Sequence, residues 1–506
     1  MRLFAALSLA LCSGLSFADK PIDITFLHLN DLHAHVESTM IRKKPYGGYA
    51  RLATLVKRER AANKNLLLLN AGDTFQGTIY FNVYEGLADA AALNSLGVDA
   101  ATIGNHEFDH GPAALAAYMQ AVDFPVISSN ITSSDSVFGP LVKPSTVLMV
   151  GGERIGVVGA TTPDTSNISQ PGPTVQFANV QGSVQREIDK LTGQGINKIV
   201  LLTHIGYEED QALVPKLRGV DLVIGGHSHS PLGTPTIDGW RNAEGPYPTL
   251  VKNADGDIVP IVQGYEWGKV MGEIKLSFNA RGKVVKVVAA RPIVVDETVP
   301  EDRQMKALVA AFQKPIAAQA NAQIGTTVNA VPKEANASGE SLMANVIADA
   351  MLAATEKMGA VAAFVNSGGV RGSLEQGKVT YGNLISIAPF GNTLVVLDLT
   401  GAELLGSLHE GEGTGGQLNP SHGTSYKVVG GKVTGVIVAG QALDTSKIYR
   451  VSFYNFTANG GDKHVVLQNA KGRRVDTGLL DIDVLTDYVR GHVPLDVQAE
   501  GRILRG

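Results

Sequence analysis

The residues of this sequence that can bind metal ions fall in five short motifs, each of which follows an apolar stretch. The motifs read DLHAH, GD, GNHEFD, TH and GGHSH along the chain. Their imidazole, carboxylate and amide groups give seven candidate ligands: Asp31, His33, Asp73, Asn105, His204, His227 and His229. A set of N and O ligands without thiolate suits Zn, Mn, Fe, Co, Ni or Mg, and does not suit an iron–sulfur cluster or Cu(I).

The size of this ligand set favours two metal ions over one. Seven ligands are too many for one tetrahedral ion and fit two ions that share a carboxylate. Two ions about 3.5–4 Å apart stabilise an in-line displacement at phosphorus and supply hydroxide at neutral pH. We expect Asp31 and His33 to reach one ion, because residues i and i+2 of an extended segment point the same way.

The third motif contains a second kind of catalytic candidate. His106 and Asp109 are three residues apart, and side chains with this spacing meet on one turn of a helix. We predict that Asp109 orients His106 and stabilises its charge. His28, by contrast, lies inside an apolar run, and we predict a structural role for it.

The segments between the motifs predict how these residues are brought together. Apolar runs at 24–29, 66–69, 98–103, 155–158, 199–202 and 222–224 are predicted strands, and 49–60, 85–96 and 182–191 are predicted helices. This alternation favours a layered α/β domain, in which ligands bind beyond the carboxyl ends of strands. An alanine-rich helix at 302–320 then leads to a second α/β region.

The second region contains residues suited to a nucleotide. In FVNSGGVRGSL, Arg371 follows a glycine-rich turn, and a guanidinium pairs well with phosphate oxygens. Phe390 in APFGN and Phe456 in YNFTANGGDKH lie beside turns, where a ring is easily exposed. Two such rings could stack on a base, at about 1–3 kcal/mol each. Core packing is the alternative for each ring.

Composition and the N-terminus bound the remaining possibilities. The length of 506 residues suggests about two to four domains. A composition of 44% hydrophobic and 18% charged residues is enough for a sizeable core. The net charge of −5 gives no reason to expect a nucleic acid polymer as partner. Residues 1–18 read as a signal peptide cleaved after Ala18, and contain Cys12, the single cysteine. We therefore expect a periplasmic or secreted protein without a membrane span.

The five motifs in this order resemble the calcineurin-like metallophosphoesterases, and more narrowly the bacterial and animal 5′-nucleotidase/UDP-sugar hydrolase family. The resemblance implies an N-terminal four-layer α/β-β-α sandwich and a smaller C-terminal α/β nucleotide-binding domain, joined by a helix. It also implies two ligand sets that share a bridging Asp73: Asp31, His33, Asp73 and His229 for one metal, and Asp73, Asn105, His204 and His227 for the other. His106 and Asp109 would then assist transfer of the phosphoryl group.

In the second region the resemblance implies five substrate contacts. Asn366 would contact base or ribose, Arg371 phosphate, Phe390 and Phe456 the base, and Asp462 the ribose hydroxyls. Family members commonly carry an arginine just before the helix that starts here near Glu340, and this chain has none. Either Lys333 reaches the phosphate instead, or phosphate binding is weaker.

These observations predict four segments and one reaction. The segments are a signal peptide (1–18), a dimetal phosphoesterase domain (19–298), a linker helix (299–322) and a C-terminal substrate-binding domain (323–506). We expect an exported enzyme that releases phosphate from nucleoside 5′-phosphates by metal-hydroxide attack, with two divalent ions (Zn, Mn, Co or Mg) as cofactors. The alternatives are a 2′,3′-cyclic nucleotide phosphodiesterase, a UDP-sugar or NAD pyrophosphatase, or a nucleotide-binding protein without catalysis. The oligomeric state stays open.

Overall fold

The computed structural model describes residues 21–41, 44–237, 240–414 and 416–506. The predicted signal peptide lies outside these residues. Two six-stranded sheets form the N-terminal half. In spatial order the first sheet contains the strands Val284–Val294, Val270–Phe278, Ile22–Leu29, Leu66–Asn70, Ala100–Thr102 and Val126–Ile127. The second contains Thr249–Lys252, Ile258–Val262, Leu222–Ile224, Ile199–His204, Glu153–Thr161 and Ser145–Val150.

The strands that precede the metal-binding motifs are parallel within each sheet. Ile22–Leu29, Leu66–Asn70 and Ala100–Thr102 run side by side in the first sheet. Ile199–His204 and Leu222–Ile224 are parallel neighbours in the second. Because carboxyl ends of parallel strands meet at one edge of a sheet, all five motifs emerge at the same end of the two sheets.

The side chains of the first strand explain how the layers form. Ile24 and Phe26 are fully buried against the second sheet, in one cluster with Val157 and Val200. Leu27, with the opposite orientation, packs in the cluster that contains the helix Tyr49–Ala62. This period-2 alternation places apolar side chains on both faces of the strand. The second sheet is covered in the same way by the helix Val180–Gly193, so the predicted four-layer sandwich is confirmed.

The predicted helix at 85–96 is present as Leu87–Leu96, and a short helix without a sequence prediction, Ile79–Tyr84, precedes it. Glu85 and Gly86 between them have φ values of 48° and 86°. Left-handed residues end a right-handed helix, so the first helix ends before Glu85 and the second begins after Gly86.

The helix Arg303–Ala320 connects the two halves, with Asp302 as its N-cap. Beyond it, a five-stranded sheet has the order Leu418–Pro420, Ala362–Asn366, Ile448–Tyr454, Thr393–Thr400 and Arg474–Leu480. A four-stranded sheet follows in the order Gln441–Ala442, Lys432–Val438, Ser425–Val429 and Ile503–Arg505. The helices of this half are Leu342–Thr355, Tyr381–Ile387, Gly401–Thr414, Asn455–Ala458, Val465–Asn469 and Asp481–Gly491. A smaller C-terminal α/β domain is thereby confirmed.

Short elements complete the fold. The remaining N-terminal helices are Gly111–Ala121, Thr165–Ile168 and Tyr207–Leu213. The two-stranded pairs are Thr39–Ile41 with Lys44–Tyr46, Ile131–Ser133 with Val175–Phe177, and Gln323–Thr327 with Gly377–Thr380. Turns of 3₁₀ helix occur at His106–Phe108, Gly139–Leu141, Val214–Lys216, Glu356–Met358, Ser367–Gly369 and Gly461–Lys463. Across the described ranges, each helix is too short or too polar to cross a membrane.

Candidate active site

The five motifs meet at the carboxyl ends of their strands. Two groups of side chains place their potential ligand atoms within 4.8 Å of one another. The first group is Asp31, His33, Asp73 and His229, and the second is Asp73, His204 and His227. Asp73 belongs to both groups, as a carboxylate shared between two ions would.

The backbone that presents these ligands is not extended, which corrects one expectation. Asp31 and His33 follow the end of the strand Ile22–Leu29 and have φ values of 49° and 48°. Asp73 (53°), His227 (79°) and His229 (50°) are also left-handed. Non-glycine residues rarely adopt this conformation, and when they do they cluster at functional sites. Asp31 and His33 therefore reach the same group through a tight turn rather than through strand alternation.

Two glycines of the motifs allow the strand ends to approach each other. A Cβ atom on Gly72, which has φ of 85°, would lie 2.8 Å from the backbone nitrogen of Gly104. A Cβ atom on Gly226 would lie 2.7 Å from the carbonyl oxygen of Ala71 and 2.8 Å from His204 Nδ1. Separations this short are repulsive, so the GD and GGH motifs need glycine at these positions for the two sheets to share one site.

The chemistry of the first group fits a cation. His33 Nε2 lies 3.0 Å from His229 Nε2, and His229 Nε2 lies 3.1 Å from Asp31 Oδ1. The other ring nitrogen of each histidine has its own partner. His33 Nδ1 lies 3.0 Å from the carbonyl oxygen of Phe75, and His229 Nδ1 lies 2.6 Å from Glu266 Oε2. Such a bond leaves Nε2 as a ring acceptor. Two acceptor nitrogens and a carboxylate that face one another repel, and a metal ion between them would bind all three.

The second group has the same property. His204 Nδ1 lies 2.7 Å from the carbonyl oxygen of Ala71, which directs Nε2 towards Asp73 Oδ2 at 3.0 Å. His204 is fully buried, and its Nε2 also lies 3.9 Å from Asp31 Oδ1. Burial opposes a charge on His204, yet Asp73 and Asp31 outweigh it and raise its pKa to about 10. The two carboxylates thus strongly favour a positive charge at this place, which a metal ion would supply.

Asn105, the amide of the ligand set, lies beside the second group. Its Oδ1 lies 2.9 Å from His227 Nδ1. An amide oxygen in this place can bind a hard divalent ion together with carboxylate and imidazole. The structure therefore brings all seven sequence-predicted ligands to one location.

Glu266 and Lys269 support the first group, and sequence reasoning did not find them. Glu266 Oε2 lies 2.6 Å from His229 Nδ1, while Glu266 Oε1 accepts from Lys269 Nζ at 2.6 Å. Lys269 is 1% exposed and lies 4.0–5.3 Å from the ring centroids of Tyr265, Trp267 and Trp240. Burial lowers the pKa of Lys269 to about 8, although Glu266 opposes this. A carboxylate behind a metal-binding histidine fixes its orientation and raises its basicity.

Glu107 is a second residue that the motif reading missed, although it lies inside GNHEFD. Its buried carboxylate accepts from the backbone amides of Asp73 (3.0 Å), Thr74 (2.6 Å) and Gly104 (2.6 Å). These amides belong to two different motif loops. Burial raises the pKa of Glu107 to about 7. Glu107 therefore holds the GD and GNH loops together, a role that no spacing in the sequence indicates.

His106 and Asp109 form the expected pair. His106 Nδ1 lies 2.7 Å from Asp109 Oδ2, and Ser169 Oγ donates to Asp109 Oδ1 at 2.7 Å. Burial opposes the imidazolium, but Asp109 and Asp73 outweigh it and raise the pKa of His106. His28, in contrast, is fully buried between the sheets, with Nε2 2.8 Å from the Tyr247 hydroxyl. Burial lowers the pKa of His28 to about 3, so its environment is that of a neutral core residue.

The predicted nucleotide residues face the same site from the C-terminal half. Phe390 lies with its ring centroid 5.6 Å from that of His106, and the Arg371 guanidinium is 5.5 Å from the Phe390 centroid. Asn366 Nδ2 donates to Asp462 Oδ2 at 2.7 Å. Both halves line one cavity of about 560 Å³, whose walls include Asp73, Asn105, His106, Asp109, His227, His229, Asn366, Arg371, Phe390, Phe456 and Asp462.

Comparisons with known proteins agree with this architecture. Residues 24–231 match the family model for calcineurin-like phosphoesterases, and residues 318–469 match the model for the 5′-nucleotidase C-terminal domain. A 5′-nucleotidase of Diplobatis ommata is 35% identical, over 99% of this chain and 93% of that protein.

Solved structures show the same two-domain arrangement. The crystal structure of a 5′-nucleotidase precursor from Thermus thermophilus has a TM-score of 0.89 at 39% identity, covering 96% of this chain and 99% of its own. The structure of Haemophilus influenzae NAD nucleotidase has a TM-score of 0.62 at 25% identity, with 96% and 99% covered.

The fold and its cluster of N and O ligands thus define a metallophosphoesterase, a class whose calcineurin-like members use a dimetal centre. Within this class, the match to the 5′-nucleotidase C-terminal domain and the 39% identity to the Thermus thermophilus protein indicate the family. The chain belongs to the 5′-nucleotidase family and is a hydrolase that acts on nucleotides.

Proposed function

We propose that this enzyme releases phosphate from nucleoside 5′-monophosphates at a dimetal centre. The observation that carries the proposal is the cavity of about 560 Å³, which is lined by metal-binding side chains on one side and by Arg371, Phe390 and Phe456 on the other. A nucleoside monophosphate has matching chemistry, with an anionic group at one end and a planar base at the other.

Seven side chains would hold the two ions. One ion would bind Asp31, His33, Asp73 and His229, and the other Asp73, Asn105, His204 and His227. When bound, two such ions supply hydroxide at neutral pH and positive charge beside the phosphoryl oxygens. We propose Zn, Mn, Co or Mg, because the ligand set contains N and O donors alone.

His106 and Arg371 would stabilise the charge that develops on the phosphoryl group. The carboxylate of Asp109 at 2.7 Å keeps the imidazole of His106 oriented and favours its protonated form. Protonated His106 can donate from Nε2 to a phosphoryl or leaving-group oxygen. Arg371 approaches from the C-terminal domain, where its guanidinium can bind two phosphate oxygens at once.

The remaining C-terminal residues would bind the nucleoside. Phe390 and Phe456 are both partly exposed and line the cavity, so their rings can stack on a base. Asp462, held by Asn366, would accept from the ribose hydroxyls. We further propose the domain limits 19–298 and 323–506 with a linker at 299–322, and export of the enzyme to the periplasm or the medium after cleavage behind Ala18.

A hydrolysis assay with five substrates tests the proposal. The purified enzyme is stripped of metal, reconstituted with Zn, Mn, Co or Mg, and incubated with AMP, ATP, UDP-glucose, 2′,3′-cyclic AMP and NAD. We expect the highest kcat/KM with AMP and release of inorganic phosphate.

The other substrates distinguish the alternatives. Preferential cleavage of the cyclic nucleotide, without phosphate release from AMP, would make the enzyme a phosphodiesterase. Preferential cleavage of UDP-glucose or NAD would make it a pyrophosphatase. If the protein bound nucleotides but hydrolysed none of them with any of the four metals, it would be a nucleotide-binding protein without catalysis.

A further inference from the structure

Lys333 of the C-terminal domain contacts a tryptophan of the metal-binding domain. Its Nζ lies 5.2 Å from the ring centroid of Trp267. Trp267 follows the strand Ile258–Val262, which lies in the second sheet of the sandwich. Lys333 follows the helix Arg303–Ala320, beyond the connection between the halves. The contact therefore joins two parts of the chain that carry different functions.

Trp267 is fixed to the metal-binding residues. Its backbone N–H donates to the carbonyl oxygen of Asp31 at 2.7 Å, and its own φ is 57°. The ring of His35 stacks on it with centroids 4.4 Å apart and planes 10° apart. The preceding residue, Glu266, holds His229. A displacement of Trp267 would thus displace ligands of the metal site.

Lys333 is fixed to Arg371 in the same way. Val331 and Leu374 exchange backbone hydrogen bonds of 2.8 and 3.0 Å, and the Lys333 N–H donates to Ser373 Oγ at 2.9 Å. Lys333 Nζ also donates to the carbonyl oxygen of Arg371 in a long hydrogen bond of 3.4 Å. These contacts tie Lys333 to the backbone of the segment that carries Arg371.

The charge of Lys333 strengthens the contact with the indole. In the described residues, no carboxylate lies within ion-pair distance of its ammonium group. Burial lowers the pKa of Lys333, and the nearby Glu266 opposes this. A cation over the face of an indole is attracted by the ring quadrupole, most strongly where water is excluded.

We propose that Lys333 is a positioning residue, which sets Arg371 in register with the metal site by docking on Trp267. This role rests on the proposed function, in which Arg371 binds the phosphate. It differs from the direct phosphate contact that the missing arginine before Glu340 suggested for Lys333. Catalysis requires reacting atoms within about 3–3.5 Å of each other, and small displacements are costly.

The test combines kinetics with the fluorescence of one tryptophan. The chain has two tryptophans, Trp240 and Trp267, so Trp240→Phe leaves Trp267 as the sole reporter. In that background we compare Lys333→Met, Lys333→Arg and the exposed-site control Lys378→Met. Each variant is checked by circular dichroism, assayed with AMP and ADP, and titrated with acrylamide.

We expect Lys333→Met to lower kcat for AMP about 10- to 100-fold with KM changed less than about threefold, because register rather than affinity is lost. Acrylamide quenching of Trp267 should increase, since its ring loses the contact with Lys333 while those with His35 and Lys269 remain. Lys333→Arg should keep both properties near those of the parent, because a guanidinium also stacks on an indole. Lys378→Met should change neither.

Two results would overturn the positioning role. A rise in KM that is larger for ADP than for AMP, with unchanged quenching, would make Lys333 a direct phosphate ligand. Unchanged kcat and unchanged quenching would remove any role for the contact. If the parent enzyme hydrolysed no nucleotide, the proposed function would fail, whereas the quenching comparison would still decide whether Lys333 covers Trp267.

Discussion

The two walls of the cavity are built by opposite means. On the metal side, Asp31, His33, Asp73 and His204 are at most 1% exposed, and each is held by backbone or buried carboxylate contacts. On the nucleotide side, Phe390 and Phe456 are partly exposed and lie beside turns. The difference teaches that charge is placed by a rigid framework, because a ligand misplaced by a fraction of an ångström loses its ion. A stacked base tolerates small displacements of a ring.

Removal of His106 should have the largest effect among the changes that test this comparison. We expect His106→Ala to lower kcat for AMP by about 10²–10⁴-fold, the usual contribution of a positioned acid, while metal content is unchanged. The neighbouring His110, which binds Glu85 at 3.1 Å, provides the control His110→Ala with near-normal activity. Steady-state kinetics and metal analysis by mass spectrometry measure both. Full activity of His106→Ala would refute its catalytic assignment.

A smaller effect is expected when the support behind the metal ligands is changed. Glu266→Gln should weaken metal retention by about 10- to 100-fold, the usual consequence of losing a carboxylate behind a ligating histidine. It also leaves the buried Lys269 without its carboxylate partner. Competition with a chelator gives the affinity. Glu153→Gln is the control, since Glu153 pairs with Lys198 at 2.8 Å away from the ligands. Equal affinity in both variants would show that the metal wall does not depend on this second layer.

The nucleotide wall should respond in KM rather than in metal content. Phe390→Ala together with Phe456→Ala removes two stacking rings, each worth about 1–3 kcal/mol by alanine substitution. We expect KM for AMP to rise by at least about 30-fold, in line with that range, while kcat/KM for p-nitrophenyl phosphate changes little. An equal fall in kcat/KM for both substrates would mean that the two rings pack in the core, the alternative given above.

The smallest expected effect concerns the ribose. Asp462→Asn keeps the shape of the side chain that Asn366 contacts and removes its charge. We expect KM to rise about fivefold for AMP, which corresponds to about 1 kcal/mol for one hydrogen bond, and to rise less for 2′-deoxy-AMP. Competitive inhibition by adenosine and 2′-deoxyadenosine gives an independent measure. An equal rise in KM for both nucleotides would show that Asp462 does not contact the 2′-hydroxyl.

The limits of sequence reasoning are visible at particular residues. Apolar runs predicted the strands that precede each motif, since a buried strand needs hydrophobic side chains on both faces. The left-handed pair Glu85 and Gly86 starts the helix at Leu87, two residues beyond its predicted start. Gly86 is the local signal for this break, because glycine readily adopts positive φ, whereas Glu85 carries no such signal. The roles of Glu107 and Glu266 were not predicted, because their partners are distant in sequence. Glu107 accepts from backbone amides of another loop, and Glu266 contacts His229.

The sequence by itself determined the class of chemistry, the set of candidate metal ligands and the order of the two family regions, because ligand type and strand-end position are local properties. Only the tertiary structure decided which residues hold those ligands in place. It also decided that Phe390 lies against His106 with Arg371 on its ring, and that Lys333 lies on Trp267. Contacts of this kind depend on how two sheets and two domains pack, and no spacing along one chain encodes them directly.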